Sequence, residues 1–98
     1  MSINEMLKVI EVEELDVYNK IVYGSIYYGG ENCISFKKNE DGSMQICAIG
    51  ERGRVIFDET IKDETVACNK IIDRLRIGKR LAQRFLEKEQ DKSTYGRN

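Results

Sequence analysis

The chain reads as a single α+β domain: an N-terminal helix, a four-stranded antiparallel sheet and a long C-terminal helix. Three patterns predict this. Ile3, Met6, Leu7 and Ile10 recur at helical spacing near the start. Ile34 and Phe36, then Met44, Ile46 and Ala48, alternate with their neighbours around a Glu40-Asp41-Gly42 turn. Cys68, Ile71, Leu75, Gly78, Ala82 and Phe85 form a stripe at alternating spacings of three and four. A chain of 98 residues supports one core rather than two, so the domain is placed at residues 1–90, with a polar tail over 91–98.

Ser2-Ile3-Asn4-Glu5 has the form of a capping box, with the Ser2 hydroxyl and the Glu5 carboxylate satisfying each other's backbone amides, so the first helix is predicted to start there and to end near Leu15. Lys20 to Tyr28 is rich in Ile, Val and Tyr and is read as the first strand, ended by Gly29-Gly30. The next two strands form a hairpin. A three-residue loop with Gly42 in the left-handed conformation pairs Phe36 with Ile46 and Ile34 with Ala48, so both apolar rows share one face. The same register puts Cys33 and Cys47 on the other face as diagonal neighbours, too far apart for a disulfide. Gly50-Glu51-Arg52-Gly53 is the following turn, and residues 55 to 58 are the last strand.

Asp63 suits an N-cap, with Glu64 in the first turn of a helix that runs toward Lys88, about 39 Å at 1.5 Å per residue. That is longer than a domain of this size is wide. The options are a break at Gly78, a second piece of chain docked on the far half, or a homodimer contact through this helix. Cys33, Cys47, Ile49 and Ile56 also leave the second sheet face unusually apolar, to be covered either by the far half of the long helix or by a partner.

Composition excludes several classes. With 41% hydrophobic and 34% charged residues the chain is neither a disordered segment nor a membrane protein, and no apolar run approaches the roughly 20 residues a bilayer helix needs. The first residues lack a signal-peptide pattern, so a cytoplasmic location is expected. There is no histidine, and the three cysteines lack metal-site spacing, so they are read as free thiols and no metal or cofactor is expected. No nucleophile–base pair or converging carboxylate pair is visible, and the chain is read as a non-enzyme. Glu40 with Asp41 and Asp58 with Glu59 are adjacent in sequence and diverge on an extended backbone. Cys68, on the inward stripe, is read as an inert core thiol.

Charge is distributed unevenly although the net is only −1. Residues 70 to 88 hold seven cations against two acids: Lys70, Arg74, Arg76, Lys79, Arg80, Arg84 and Lys88. This run is either a solvated helix face or a row of phosphate contacts, with Tyr23, Tyr27 and Tyr28 available for base stacking. The order helix, strands, helix resembles that of the double-stranded-RNA-binding domain, but Asp63 and Glu64 stand where that family has cations, which argues against it. On the acidic side, Glu31, Glu40, Asp41, Glu51, Asp58 and Glu59 fall at turns and strand ends, where they would form a rim that steers a cationic partner.

Glu51-Arg52-Gly53, the strand ending in Phe57, and Glu64, Ala67 and Cys68 at a helix start follow one another in an order and spacing that resembles small bacterial immunity proteins of polymorphic-toxin, contact-dependent inhibition systems. The resemblance covers about residues 20 to 77. It implies an α+β protein that binds a cognate toxin domain, a nuclease above all, and occludes its active site. The acidic rim and the motif's own Glu51 and Arg52 together give the expected partner-binding residues, Glu31, Glu40, Asp41, Glu51, Arg52, Asp58 and Glu59, with the Glu and Arg of the motif alternatively structural, Arg52 bridging to a helix or strand end. The chain departs from the pattern in its helix, which runs on well past the first turns. The competing reading is a small nucleic-acid-binding module that uses residues 70 to 88.

Overall fold

The structure, a computed structural model, describes residues 1–95, with side chains through Arg84. The element order is α1 (Ile3–Val12), β1 (Lys20–Tyr23), β2 (Cys33–Lys38), β3 (Met44–Ile49), a 3-10 turn (Glu51–Gly53), β4 (Val55–Ile61) and α2 (Glu64–Tyr95). The four strands form one sheet in the order β1-β2-β3-β4. The α+β class and both helices are as expected, but the sheet is mixed. β2, β3 and β4 are antiparallel, whereas β1 runs parallel to β2, pairing Lys20 with Cys33 and Tyr23 with Phe36.

The first strand stops at Tyr23 because Gly24 turns at a φ of 101° and the chain doubles back. Residues 24–32 then travel the length of β2 without a helix, as a strap laid over the second sheet face. Its central clasp is Ser35. The Tyr27 amide donates to Ser35 Oγ at 2.9 Å, and Ser35 Oγ donates to the Tyr27 carbonyl at 3.4 Å. That exchange satisfies a fully buried hydroxyl. Ile26 and Val22 pack on Cys33, Cys47 and Ile49 to form a small second core. The apolar second face is therefore covered by the strap, not by the far half of the long helix.

The hairpin register is as expected, with Phe36 opposite Ile46 and Ile34 opposite Ala48, and Gly42 is left-handed at φ 88°. Cys33 faces Ile49 and Cys47 faces Ser35, and all three thiols are free and buried. Burial raises the pKa of each, which keeps them protonated and unreactive. β4 runs to Ile61 rather than stopping at Asp58. A bulge near its start pairs Ala48 with Phe57 and Ile49 with Val55, leaving Ile56 as the extra residue. The bulge turns Phe57 toward the helices and Asp58 toward the strap.

The capping box at Ser2 is present, and α1 ends at Val12 rather than near Leu15. Its end is a Schellman motif: the Leu15 amide donates to the Ile10 carbonyl at 2.9 Å and the Glu14 amide to the Glu11 carbonyl at 3.2 Å. Glu14 takes the left-handed position, at φ 54°, where glycine is the usual residue. Leu15 closes the motif by burying completely in the core.

Asp63 caps α2 through its Oδ1, which accepts from the amides of Thr65 and Val66. Ala67, Cys68, Ile71, Ile72 and Leu75 then pack with Ile3, Met6, Ile10 and the first sheet face around Phe36. Among the described residues, Leu75 is the last fully buried one of the helix. α2 is continuous through Gly78, and at 32 residues it is about 48 Å long, so its far part overhangs the sheet. The overhang raises the radius of gyration to 15.6 Å, against about 13 Å for a compact domain of this length. The expected stripe residue Phe85 lies outside the residues with described side chains; α2 covers 91–95 of the expected tail, and 96–98 lie outside the described residues.

Candidate functional site

The acidic residues do not gather into one rim. Glu40 and Asp41 sit on the turn between β2 and β3, while Glu31 and Glu51 sit at the opposite end, across the six residues of β3, roughly 20 Å of strand. Neighbouring Asp58 and Glu59 point to opposite faces. Glu59 lies on the helix face and forms an ion pair with Lys70. Asp58 lies on the strap face, where its carboxylate beside the Tyr28 hydroxyl raises the tyrosine pKa. Asp41 folds inward onto its own turn, accepting from the Ser43 amide at 3.0 Å and from Ser43 Oγ at 2.6 Å, and these bonds lower its pKa.

The basic run is likewise partly committed. Arg76 makes a two-pronged contact with Glu13, 2.9 Å through Nε and 2.6 Å through Nη2, which lowers the Glu13 pKa and raises that of Arg76. Lys79 donates to the Glu13 backbone carbonyl, where a cation suits the negative end of α1. Lys70 holds Glu59 and lies over the Phe57 ring. These contacts fasten α2 to α1 and β4. Among the described residues, Arg74, Arg80 and Arg84 make no ion pair.

Two surfaces remain. The first is the outer side of the strap, where Tyr27 and Tyr28 are 40% and 56% exposed, with Lys20 over the Tyr27 ring and Glu31 and Asp58 alongside. The strap and the Glu51–Gly53 turn are joined where the Asn32 amide donates to the Gly50 carbonyl at 3.2 Å. Glu51 therefore extends the acidic side of this surface.

The second is a cleft of about 690 Å³ between the overhanging part of α2 and the end of the sheet. Its polar lining is Asn19, Asn32, Glu51, Arg52, Arg54 and Arg74. Tyr18, Ile56, Leu81 and Ala82 supply the apolar part. Several costly features meet here. Arg52 and Asn32 are non-glycine residues at positive φ, 59° and 50°. Asn19 Nδ2 is buried with no hydrogen-bond acceptor, at a typical cost of about 1–3 kcal/mol. Gly78 sits in a helix interior at a cost of about 1 kcal/mol relative to alanine, and a Cβ there would stand 2.8 Å from Asn19 Nδ2. Gly78 thus allows the close approach of Asn19. Arg52 bridges to no described helix or strand end; it is exposed at the cleft mouth beside Arg54, and neither makes an ion pair among the described residues. Spacing along the chain gave no sign of this cleft, because its walls come from separate segments between Tyr18 and Ala82; a glycine inside a helical stripe was the one available signal.

Among the described residues no group of three or more Cys, Asp or Glu is placed to hold a metal ion, and no helix is long and apolar enough to cross a membrane. Comparison with known proteins finds no matching family model, no matching curated protein and no matching solved structure.

Proposed function

We propose that the protein is a stoichiometric inhibitor of the immunity class, which binds a cognate toxin domain of nuclease type and occludes its active site without turnover. The observation that supports this reading is the strap: a surface presenting Tyr27 and Tyr28, bordered by Glu31, Asp58 and Glu51 and fixed to the sheet by the buried Ser35 clasp. Tyrosine supplies large contact area at low entropic cost and is enriched at interface hot spots. Bordering carboxylates steer a cationic partner and raise its association rate. A nuclease's substrate-binding surface is cationic, which gives the charge pattern its meaning. A standard interface of about 1,600 Å² suffices for high affinity.

Glu31, Glu51 and Asp58 are the acidic residues assigned to this interface, with Arg52 at its edge. Glu40 and Asp41 lie at the other end of the sheet, and Glu59 on the other face. The test is binding kinetics with a basic toxin domain. Glu31→Lys/Asp58→Lys is expected to slow association at least tenfold and to reduce its dependence on salt, while Tyr28→Ala speeds dissociation, at a cost of about 2 kcal/mol or more. Kinetics unchanged by both variants would reject this interface.

A further inference from the structure

We infer that the cleft beneath the overhang of α2 is a binding site for a phosphate monoester carried on a mostly apolar or planar body, a ligand the size of a mononucleotide. It shares Asn32, Glu51 and Arg52 with the edge of the strap surface, and the inference does not rest on the inhibitory function proposed above.

Charge selects the ligand class. Arg52, Arg54 and Arg74 line the cleft against the single carboxylate of Glu51, an excess of two positive charges. None of the three guanidinium groups has a carboxylate partner among the described residues, whereas Arg76, one helical position from inward-facing Leu75, is fully engaged with Glu13. A phosphate monoester carries about −1.5 to −2 charges at pH 7 and matches that excess, where one carboxylate does not. Planar guanidinium groups bind phosphate through paired hydrogen bonds, which is why arginine rather than lysine suits such a site.

Polar geometry points to the same place. The Asn19 side chain lines the cleft, and its amide nitrogen, packed against Gly78, is a buried donor without an acceptor in the protein. Gly78 is what lets Asn19 stand there, since a Cβ would meet it at 2.8 Å. Unpartnered donors, positive-φ residues and a helix-interior glycine in one concavity are the local rule-breaking that gathers at binding sites. The size fits as well: about 690 Å³ falls within the range of small-molecule sites, with Ile56, Leu81 and Ala82 for the apolar part of the ligand and Tyr18 for stacking.

The experiment is calorimetric titration of the full chain with adenosine 5′-monophosphate, adenosine and inorganic phosphate at low salt. Adenosine monophosphate is expected to bind at least tenfold tighter than either fragment. Equal affinity for adenosine would overturn the phosphate assignment, and equal affinity for inorganic phosphate would overturn the apolar-body assignment. Arg74→Gln and Arg52→Gln/Arg54→Gln should each weaken binding about tenfold or more, with Arg80→Gln/Arg84→Gln, outside the cleft, as the unchanged control. Arg52 and Arg54 are exposed, so their variant keeps the test decisive if the half-buried Arg74 proves necessary for folding. Short RNA separates a small ligand from a strand end. Tighter binding of the 5′-phosphorylated oligomer than of its 5′-hydroxyl form supports a terminal phosphate in the cleft. Equal binding of the two, lost in Arg80→Gln/Arg84→Gln, would overturn the proposal in favour of backbone contacts along the helix. An Asp/Glu-rich peptide that binds as tightly as the mononucleotide would also overturn it.

Discussion

At the 39–43 turn, Asn39 Nδ2 donates to Ser43 Oγ, Ser43 donates twice to Asp41, and nearby Lys38 pairs with Glu64 at 2.9 Å. At the 50–54 turn, the other end of β3, Arg52 holds a left-handed conformation, three arginines lack carboxylate partners among the described residues, and Asn19 Nδ2 stays unsatisfied. The same sheet thus ends once in a turn whose groups satisfy one another and once in a turn whose groups are left open to something else. The difference follows α2, where Leu75, the last fully buried position among the described residues, marks where the self-contained domain stops.

The largest expected effects come from the two sides of that boundary. Leu75→Ala should cost about 2–5 kcal/mol in denaturant unfolding, because it opens a cavity in the main core, whereas Leu81→Ala, 55% exposed, should stay within about 0.5 kcal/mol. Similar losses at both positions would mean that the overhang is packed on something, such as a second copy. Next in size is the strap. Ser35→Ala leaves the part-buried Tyr27 amide without its acceptor, at about 1 kcal/mol or more. It should also speed thiol labelling of Cys33 and Cys47 ahead of Cys68, which sits on α2 in the main core. Uniform labelling of all three thiols, only on global unfolding, would show that the strap does not open independently.

Smaller effects compare the ends directly. Ser43→Ala should lose about 1 kcal/mol, while Arg52→Gly, which relieves the positive φ, should gain up to about 1 kcal/mol. Two losses would remove the contrast. Gly78→Ala should fail to deliver the usual helix gain of about 1 kcal/mol, and Asn19→Ala made with it should restore that gain; additivity of the two would show that Asn19 and Gly78 are not in contact. The smallest effect is on pH dependence. Glu13, Asp41 and Glu64 all have pKa values lowered in the folded state, from ordinary values of 4.5, 3.8 and 4.5. Side-chain hydrogen bonds from Arg76, Ser43 and Lys38, respectively, are the leading cause. Their contributions are complete above those ordinary values and fade as pH falls through the lowered ones. The urea midpoint should hold through neutral pH, decline below about pH 4.5, and decline less steeply in Glu13→Gln.

Local signals in the sequence were reliable where the interaction itself is local. Ser2 with Glu5, Asp63 with the following amides, and Gly42 between alternating strands each lie within a few residues of their partners, and the structure has all three. The parallel pairing of β1 was not legible, because the Ile-Val-Tyr composition of 20–28 suits a long antiparallel strand equally well and the deciding contact is Ser35 reaching Tyr27 from another strand. The end of α1 was placed too late because Glu14 occupies a position that glycine usually announces. The acidic residues were recognisable as turn and strand-end positions, but their grouping was not, since it depends on which end of β3 each turn occupies and on the pleat that parts Asp58 from Glu59. The cleft depends on Asn19 meeting Gly78 across the fold.

The most direct test is co-purification with a basic toxin domain encoded beside this chain, together with rescue of growth from that toxin. The proposed function predicts rescue and a one-to-one complex that is lost in Tyr28→Ala/Asp58→Lys and retained in Arg54→Gln/Arg74→Gln. Absence of a complex, or a complex indifferent to the strap substitutions, would contradict it.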